Sequence, residues 1–230
     1  SVARNMTHTG LVGYYTMTAA HEGFIGIAMN NGPQIAPAFG RTTPLLATNP
    51  ISFAFPAEKE EPIVLDMATS MVAAGKLRIA EKKGTPIPLD WGLDQNGEAT
   101  SDAAEVLANG YLQWAGGYKG FGLGMLVQIL GTVMAAESIT ADYTCVNGFS
   151  LIVIDPEPLL GSDAFGESMA TLVDHVSSSA PAPGFEGVVL PGQLEYETRE
   201  RRLRDGIPVP EQTQKQIVAA AASVGVSVSL

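Results

Sequence analysis

The 230 residues carry 24 acidic against 13 basic side chains, and the resulting net charge of −11 argues against general binding of nucleic acid or anionic membranes. A small anionic ligand stays possible, because one local lysine or arginine overrides the global field at short range. With 46% hydrophobic and 16% charged residues, the composition excludes a disordered chain and suits a soluble protein that buries roughly 70–75% of its extended surface.

The chain opens on Ser1-Val2-Ala3-Arg4-Asn5, with early charge and without the apolar core of a signal peptide. His8 stands between Thr7 and Thr9, just before Gly10 and a helical pattern. A histidine at such a junction can donate to a substrate carbonyl or carboxylate; a capping or surface role explains it equally well. Residues 11–22 read as a helix closed by Gly23, with His21 exposed on it. Residues 24–29 read as a strand ended by Asn30-Asn31-Gly32.

Residues 33–50 hold four prolines and are expected to be irregular throughout. They end in Thr48-Asn49-Pro50, whose hydrogen-bonding groups serve either a turn or a ligand. A strand is expected at 51–55, an acidic solvent turn at 58–61, and a short buried strand at 62–65 that ends in Asp66. A carboxylate there is a helix cap or a functional acid. Met67, Met71, Ala74 and Leu77 fall at i, i+4, i+7 and i+10, which predicts a helix whose C-terminus is marked by Lys82, Lys83 and Gly84.

Residues 84–115 read as a loop-rich excursion, with Asp94-Gln95-Asn96-Gly97 as its turn and Trp91 as its anchor. Gly116-Gly117-Tyr118-Lys119-Gly120-Phe121-Gly122 then leads into an uncharged stretch of 17 residues, 120–136. Glycines let the backbone approach a ligand closely, the lysine offers charge, and a helix starting there turns unpaired N–H groups outward. Those features suit a phosphate or carboxylate. The alternative is a glycine-faced helix packed inside a core, with Lys119 as its solvated end. No Ser or Thr follows the lysine as a nucleotide-hydrolase phosphate loop requires. At 17 residues, with four glycines and Gln128, the stretch suits a buried helix better than a membrane span.

The helix is expected to end near Glu137. Cys145 is the single cysteine, so neither a disulfide nor a thiolate metal cluster can form within the chain, and a reducing cytoplasm fits. Cys145 has no neighbouring histidine and is expected in or near the core. Three dispersed histidines predict no metal. A strand is expected at 149–154, followed by a helix on the Phe165, Met169, Leu172, Val176 face, on which His175 is structural. Residues 177–184 read as a surface loop and 188–190 as a short final strand. Arg199, Arg201, Arg202 and Arg204 interleave with Glu195, Glu197 and Glu200, a solvated helix with i, i+4 ion pairs. A terminal helix starts at Pro210 and runs to Gly225. Strands and helices alternate, but the strands are short and no dinucleotide fingerprint follows any of them, so the pattern does not support conventional doubly wound topology.

Taken in order, Arg4-Asn5-Met6-Thr7-His8-Thr9-Gly10, Gly40-Arg41, Leu46-Ala47-Thr48-Asn49-Pro50, Ile63-Val64-Leu65-Asp66-Met67-Ala68-Thr69-Ser70, Gly116-Gly117-Tyr118-Lys119-Gly120, Leu190-Pro191-Gly192 and Gly206-Ile207-Pro208 resemble the malate/L-lactate dehydrogenase family of NAD(P)-dependent oxidoreductases. The resemblance covers nearly the whole chain. It implies an α/β (α+β) fold with a distinctive, largely antiparallel cofactor-binding sheet and flanking helices. The organisation it suggests is 1–83 and 116–197 as two parts of a cofactor domain, 84–115 as the excursion and 198–230 as a C-terminal helical segment.

The resemblance further implies hydride transfer between NAD or NADP and a small carboxylate substrate, a 2-oxo acid or cyclic imino acid, in a cytoplasmic homodimer. By the same resemblance, His8 and Asp66 are catalytic, and Thr48, Asn49 and Arg41 bind substrate. Pro62, Ile63, Val64, Leu65, Asp66, Met67 and Ala68, then Tyr118, Lys119 and Gly120, then Gly192, Gln193 and Leu194, bind the dinucleotide.

Departures are local. Met6 replaces a serine, Thr9 an aromatic residue, Ala47 a glycine and Gln193 a glutamate. Family members also carry an N-terminal helical portion ahead of the segment matching Ser1, with an acid/base histidine and a carboxylate-binding arginine. The expectation is therefore a fragment, a chain completed by a separate N-terminal polypeptide, or a dinucleotide-binding module without turnover.

Overall fold

The computed structural model describes residues 1–57, 61–136 and 147–228. In chain order come β1 (Val2–Met6), α1 (Val12–His21), β2 (Ile25–Asn30), β3 (Ala36–Pro37), β4 (Pro44–Leu46), β5 (Ile51–Phe55), β6 (Ile63–Met67) and α2 (Ala74–Lys83). Then follow β7 (Gly92–Leu93), α3 (Ala103–Ala108), β8 (Tyr111–Leu112), α4 (Tyr118–Gln128), a π-helical turn (Ile129–Val133), β9 (Asn147–Ile154), α5 (Glu157–Leu160), α6 (Ser162–Ser177), α7 (Gln193–Asp205) and α8 (Glu211–Ser223). Two compact units emerge, Ser1–Gly192 and Gln193–Leu230.

The larger unit is organised by a five-stranded sheet in the order β1-β9-β2-β5-β6, antiparallel at every pairing. The alternation of side chains along each strand divides its two faces. Ala28 and Phe149 meet Val12 of α1 on one face; Met29 and Ile51 meet Val127 of α4 on the other. Polar contacts obey the same division: Ser52 bonds Thr16 of α1 through their hydroxyls at 2.7 Å, whereas the Ser150 hydroxyl donates to the Leu130 carbonyl. The result is a helix, sheet, helix sandwich.

A second core joins α2, α3 and the short hairpins. Leu77, Val106 and Leu112 are fully buried there, each stabilising by about 1.5–3 kcal/mol relative to exposure. Asp102 caps α3 by accepting from Ala104 N–H at 2.9 Å. Residues 84–115 hold β7, α3 and β8 among loops, and Ile87, Ala103 and Trp114 bury this stretch in the second core. Their anchor does pack as expected, with Trp91 against this core, and Asp94 organises the turn by accepting from the Asn96 and Glu98 N–H groups.

Some expectations are corrected. Residues 33–50 contain the β3–β4 hairpin, since Ala36 and Leu46 find ladder partners despite the prolines. The helix expected from Met67 begins at Ala74: Met67 completes β6 against Ile51, and Met71 N–H is taken by the Gln113 carbonyl at 2.8 Å. Sheet pairing thus overrides a helical apolar period there. Its C-terminus is as expected, with Gly84 in the left-handed region at φ 61°.

Residues 188–190 form no strand. In the second unit the ion pairs of α7 join adjacent residues, Arg199 with Glu200 and Arg204 with Asp205. Glu197, placed four residues before Arg201, accepts from Gln193 instead. Cys145, Glu137 and most of the acidic turn at 58–61 lie outside the described residues. Among those residues no helix is long and apolar enough to cross a membrane, and no group of three His, Cys, Asp or Glu could hold a metal ion.

Candidate functional site

Antiparallel pairing brings five strand ends to one end of the sheet. Met6 opposes Asn147, Asn30 opposes Phe149, Met29 opposes Ile51, and Ile51 opposes Met67. The segments containing His8, Thr48, Asn49 and Ala68 all emerge from these ends. A continuous hydrogen-bonded path then joins them. Asn30 donates through Nδ2 to Thr9 Oγ1 at 2.8 Å, and through its N–H to the Pro50 carbonyl at 3.2 Å. Thr69 Oγ1 donates at 3.0 Å to the carbonyls of Thr48 and Asn49, and the Thr69 carbonyl accepts from Ala115 N–H at 3.0 Å. Gly116 follows directly in the chain.

His8 is exposed at this end, in the link between β1 and α1. His21 and His175 are exposed elsewhere, His21 lying 4.0 Å from Glu61. Asp66 lies in β6, where Ser52 is its cross-strand partner, and its Oδ2 accepts from Gly13 N–H at 2.7 Å. It therefore caps a helix, though α1 rather than the helix that follows it. Leu11, at the capping position of α1, has no side chain for the task, and a carboxylate also suits the positive end of the helix dipole. Asp66→Ala is expected to lower stability by about 1–2 kcal/mol, read as a lower urea midpoint with unchanged slope.

Asn49 is fully buried with φ 39°, and its Nδ2 donates to the Gly124 carbonyl at 2.8 Å and to Gln128 Oε1 at 2.9 Å. This side chain ties the β4–β5 link to α4, while half-buried Thr48 comes nearer the surface. Arg41 lies in the β3–β4 hairpin and is exposed. Together with Phe39, Trp114, Gly116 and Gly117, it lines a cavity of about 620 Å³. The Tyr111 hydroxyl is buried at the same cavity without a hydrogen-bond partner, and burial raises its pKa above the usual phenol range.

α4 starts on Gly117 (φ 65°) after Gly116 (φ 63°), a conformation only glycine adopts readily. Gly117, at the capping position, offers no side chain, and no acid stands in the first turn. Tyr118 and Lys119 are exposed, and Lys119 makes no ion pair among the described residues. The same helix buries Gly120 and Gly124 against the rest of the fold. The close packing expected of the glycine segment is thus found on one side of α4, while Tyr118 and Lys119 stand exposed at its start. An anion would meet the Lys119 ammonium and the positive end of the helix there.

Within Pro62–Ala68, β6 is an edge strand, with Pro62 and Val64 buried and Leu65 and Asp66 more open; Ile63, Met67 and Ala68 are half-buried. Val64 N–H donates to the Pro191 carbonyl at 3.0 Å, so the segment ending in Gly192 (φ 92°) docks at the same strand. Gln193 and Leu194 open α7 in the second unit. Sequence reasoning misses Asn30 and Asn147, reading the first only as a strand end. Neither carries a motif, and their roles appear only when β2 and β9 bring them to the His8 segment.

The family model for malate/L-lactate dehydrogenase matches residues 1–218. The chain is 36% identical to the malate dehydrogenase of Pyrococcus horikoshii over 98% of its own length and 66% of that protein's. The solved structure of that enzyme superposes with a TM-score of 0.88 at 32% identity, over 99% of this chain and 66% of the other. Identity is 38% to a Δ1-pyrroline-2-carboxylate/Δ1-piperideine-2-carboxylate reductase of Pseudomonas aeruginosa, over 80% of this chain and 56% of the relative. It is 32% to the NAD(+) ureidoglycolate dehydrogenase of Escherichia coli, over 94% and 64%. The chain spans about two thirds of the length of the P. horikoshii enzyme, 66%, and slightly less of the E. coli enzyme, 64%.

Proposed function

Because the chain belongs to the malate/L-lactate dehydrogenase family, we propose that it serves an oxidoreductase reaction between a nicotinamide dinucleotide and a small 2-oxo acid, 2-hydroxy acid or cyclic imino acid. The observation that carries this reading is the assembly, at one end of one sheet, of an exposed imidazole, an open positively charged helix start and an edge strand. The residues fit a dinucleotide: α4 begins on Gly117 with no acid in its first turn, beside an exposed lysine. The name of the ureidoglycolate relative supports NAD, with NADP as the other cofactor to be assayed.

The dinucleotide, when bound, supplies the hydride that is exchanged with the substrate carbon. Lys119 and the N–H groups opening α4 hold the phosphates. The stretch Pro62–Ala68 and Gly192 bind the remainder of the dinucleotide. Asp66 keeps α1, and with it the His8 link, in place against β6. His8 donates a hydrogen bond to the substrate oxygen or nitrogen, where charge changes as the carbon exchanges hydride. Thr48 orients the substrate, Asn49 fixes the strand end that presents Thr48, and Arg41 draws in the carboxylate. Exposed Leu126, Ile129 and Val133 on α4 and the π-helical turn support a homodimer; a cytoplasmic location accords with one cysteine in the whole chain.

Lys119→Ala tests the dinucleotide assignment. Affinity for NADH or NADPH, measured by fluorescence titration, is expected to fall about tenfold to a hundredfold, with little change in thermal midpoint because the side chain is solvated. Unchanged affinity removes the phosphate assignment.

A further inference from the structure

We propose that Asn30 and Asn147 clamp the backbone on either side of His8 and thereby set where its imidazole reaches. The proposal rests on the reading of His8 given above and makes the two asparagines positioning residues. Asn30 ends β2 two residues beyond Ala28, and Asn147 starts β9 two residues before Phe149. Since Ala28 and Phe149 face α1, strand alternation turns both asparagines to that same face.

Asn147 Nδ2 donates to the Thr7 carbonyl at 2.9 Å, and Asn30 Nδ2 donates to Thr9 Oγ1 at 2.8 Å. The Tyr15 hydroxyl of α1 adds a third bond, to the Thr9 carbonyl at 3.2 Å. Three elements thus hold the two residues flanking His8. His8 itself stays exposed and without a hydrogen bond among the described residues. The preceding strand prepares this geometry. The β1–β9 register shifts between Ala3 and Met6, and Asn5 takes φ 56°, an irregularity of the kind that re-aims the chain at a strand end.

Stability alone does not account for the two amides. Both residues are buried, at 6% and 7% exposure, and the carbonyl oxygen of each lacks a partner among the described residues. A buried amide that is half satisfied costs more than an apolar side chain of similar size. What both amides have in common is the His8 segment. Thr9 belongs to the same device: its hydroxyl receives Asn30, at the position where the resembling family carries an aromatic residue.

The test compares Thr9→Val, which keeps the shape and removes the acceptor, with Thr9→Ser, which keeps the hydroxyl, and with Asn147→Leu. The readouts are kcat, KM and the proton NMR resonances of the His8 imidazole, assigned by their loss in His8→Gln. Thr9→Val and Asn147→Leu are expected to lower kcat about tenfold or more, with KM nearly constant, since a displacement of about 1 Å can cost a hundredfold. The same variants should shift and sharpen the His8 resonances, and Thr9→Ser should restore both. The clamp is wrong if neither Thr9→Val nor Asn147→Leu moves those resonances, whatever the turnover. If His8→Gln retains full turnover, the role of His8 fails instead, and the clamp then positions nothing catalytic.

Discussion

Gly120→Ala is expected to destabilise the protein by about 3 kcal/mol or more, while Gly122→Ala, two residues further along the same helix, leaves stability equal or higher. A Cβ on Gly120 would lie 2.7 Å from both the Ala115 nitrogen and the Thr69 carbonyl oxygen, and closer still to the Ala115 carbonyl. These are backbone atoms of two segments, so no rotamer change relieves the clash. Ala115 and Thr69 are also joined to each other by a hydrogen bond, and separating them would break the path that leads from the strand ends to Gly116. A Cβ on Gly122 meets nothing within 4 Å, so only helix propensity acts, in alanine's favour by about 0.8–1 kcal/mol. Urea unfolding of the two variants measures the difference. Equal midpoints would mean that α4 is not seated as tightly as described.

His8→Gln is expected to lower kcat/KM by about a hundredfold to a thousandfold, the usual worth of one preorganised donor at a developing charge. Glutamine keeps a polar side chain of similar reach but does not put a donor where the imidazole N–H stands. Since His8 is exposed and makes no hydrogen bond among the described residues, its replacement leaves the fold intact. Loss of turnover with unchanged dinucleotide affinity and thermal midpoint is therefore the signature of chemistry. Residual turnover above a tenth of the parent's would take His8 out of the reaction. Both measurements use the same purified samples, with a panel of 2-oxo acids and cyclic imino acids and with NADH and NADPH in turn.

The strands were legible where a short apolar run ended in a turn signal. Residues 51–55 are strand β5, and residues 24–29 differ from β2 by one position at each end. The Met67 to Leu77 periodicity misled because a single chain cannot show that Ile51 waits opposite Met67. The short hairpins hid for a similar reason, since two-residue strands such as β7 and β8 have no period to detect. At the site, His8, Asp66 and Lys119 stood out by residue type and position. The capping partner of Asp66 did not, because Gly13 is 53 residues away. Asn30 and Asn147 were silent because an asparagine at a strand end is ordinary until the topology places it beside a histidine.

The outermost pairing of the sheet has a consequence for how the protein comes into being. Among the described residues, β1 is held to the sheet through β9 alone, with partners such as Val2 and Ser150 far apart in the chain. Closing so long a loop is slow and entropically costly, and a growing chain cannot attempt it until β9 has been synthesised. His8, which follows β1 directly, is thus among the last residues to find its place. An edge strand paired on one side is also among the first elements to fray, so mild denaturant should silence the protein while most of its structure persists. Competence is acquired last and surrendered first.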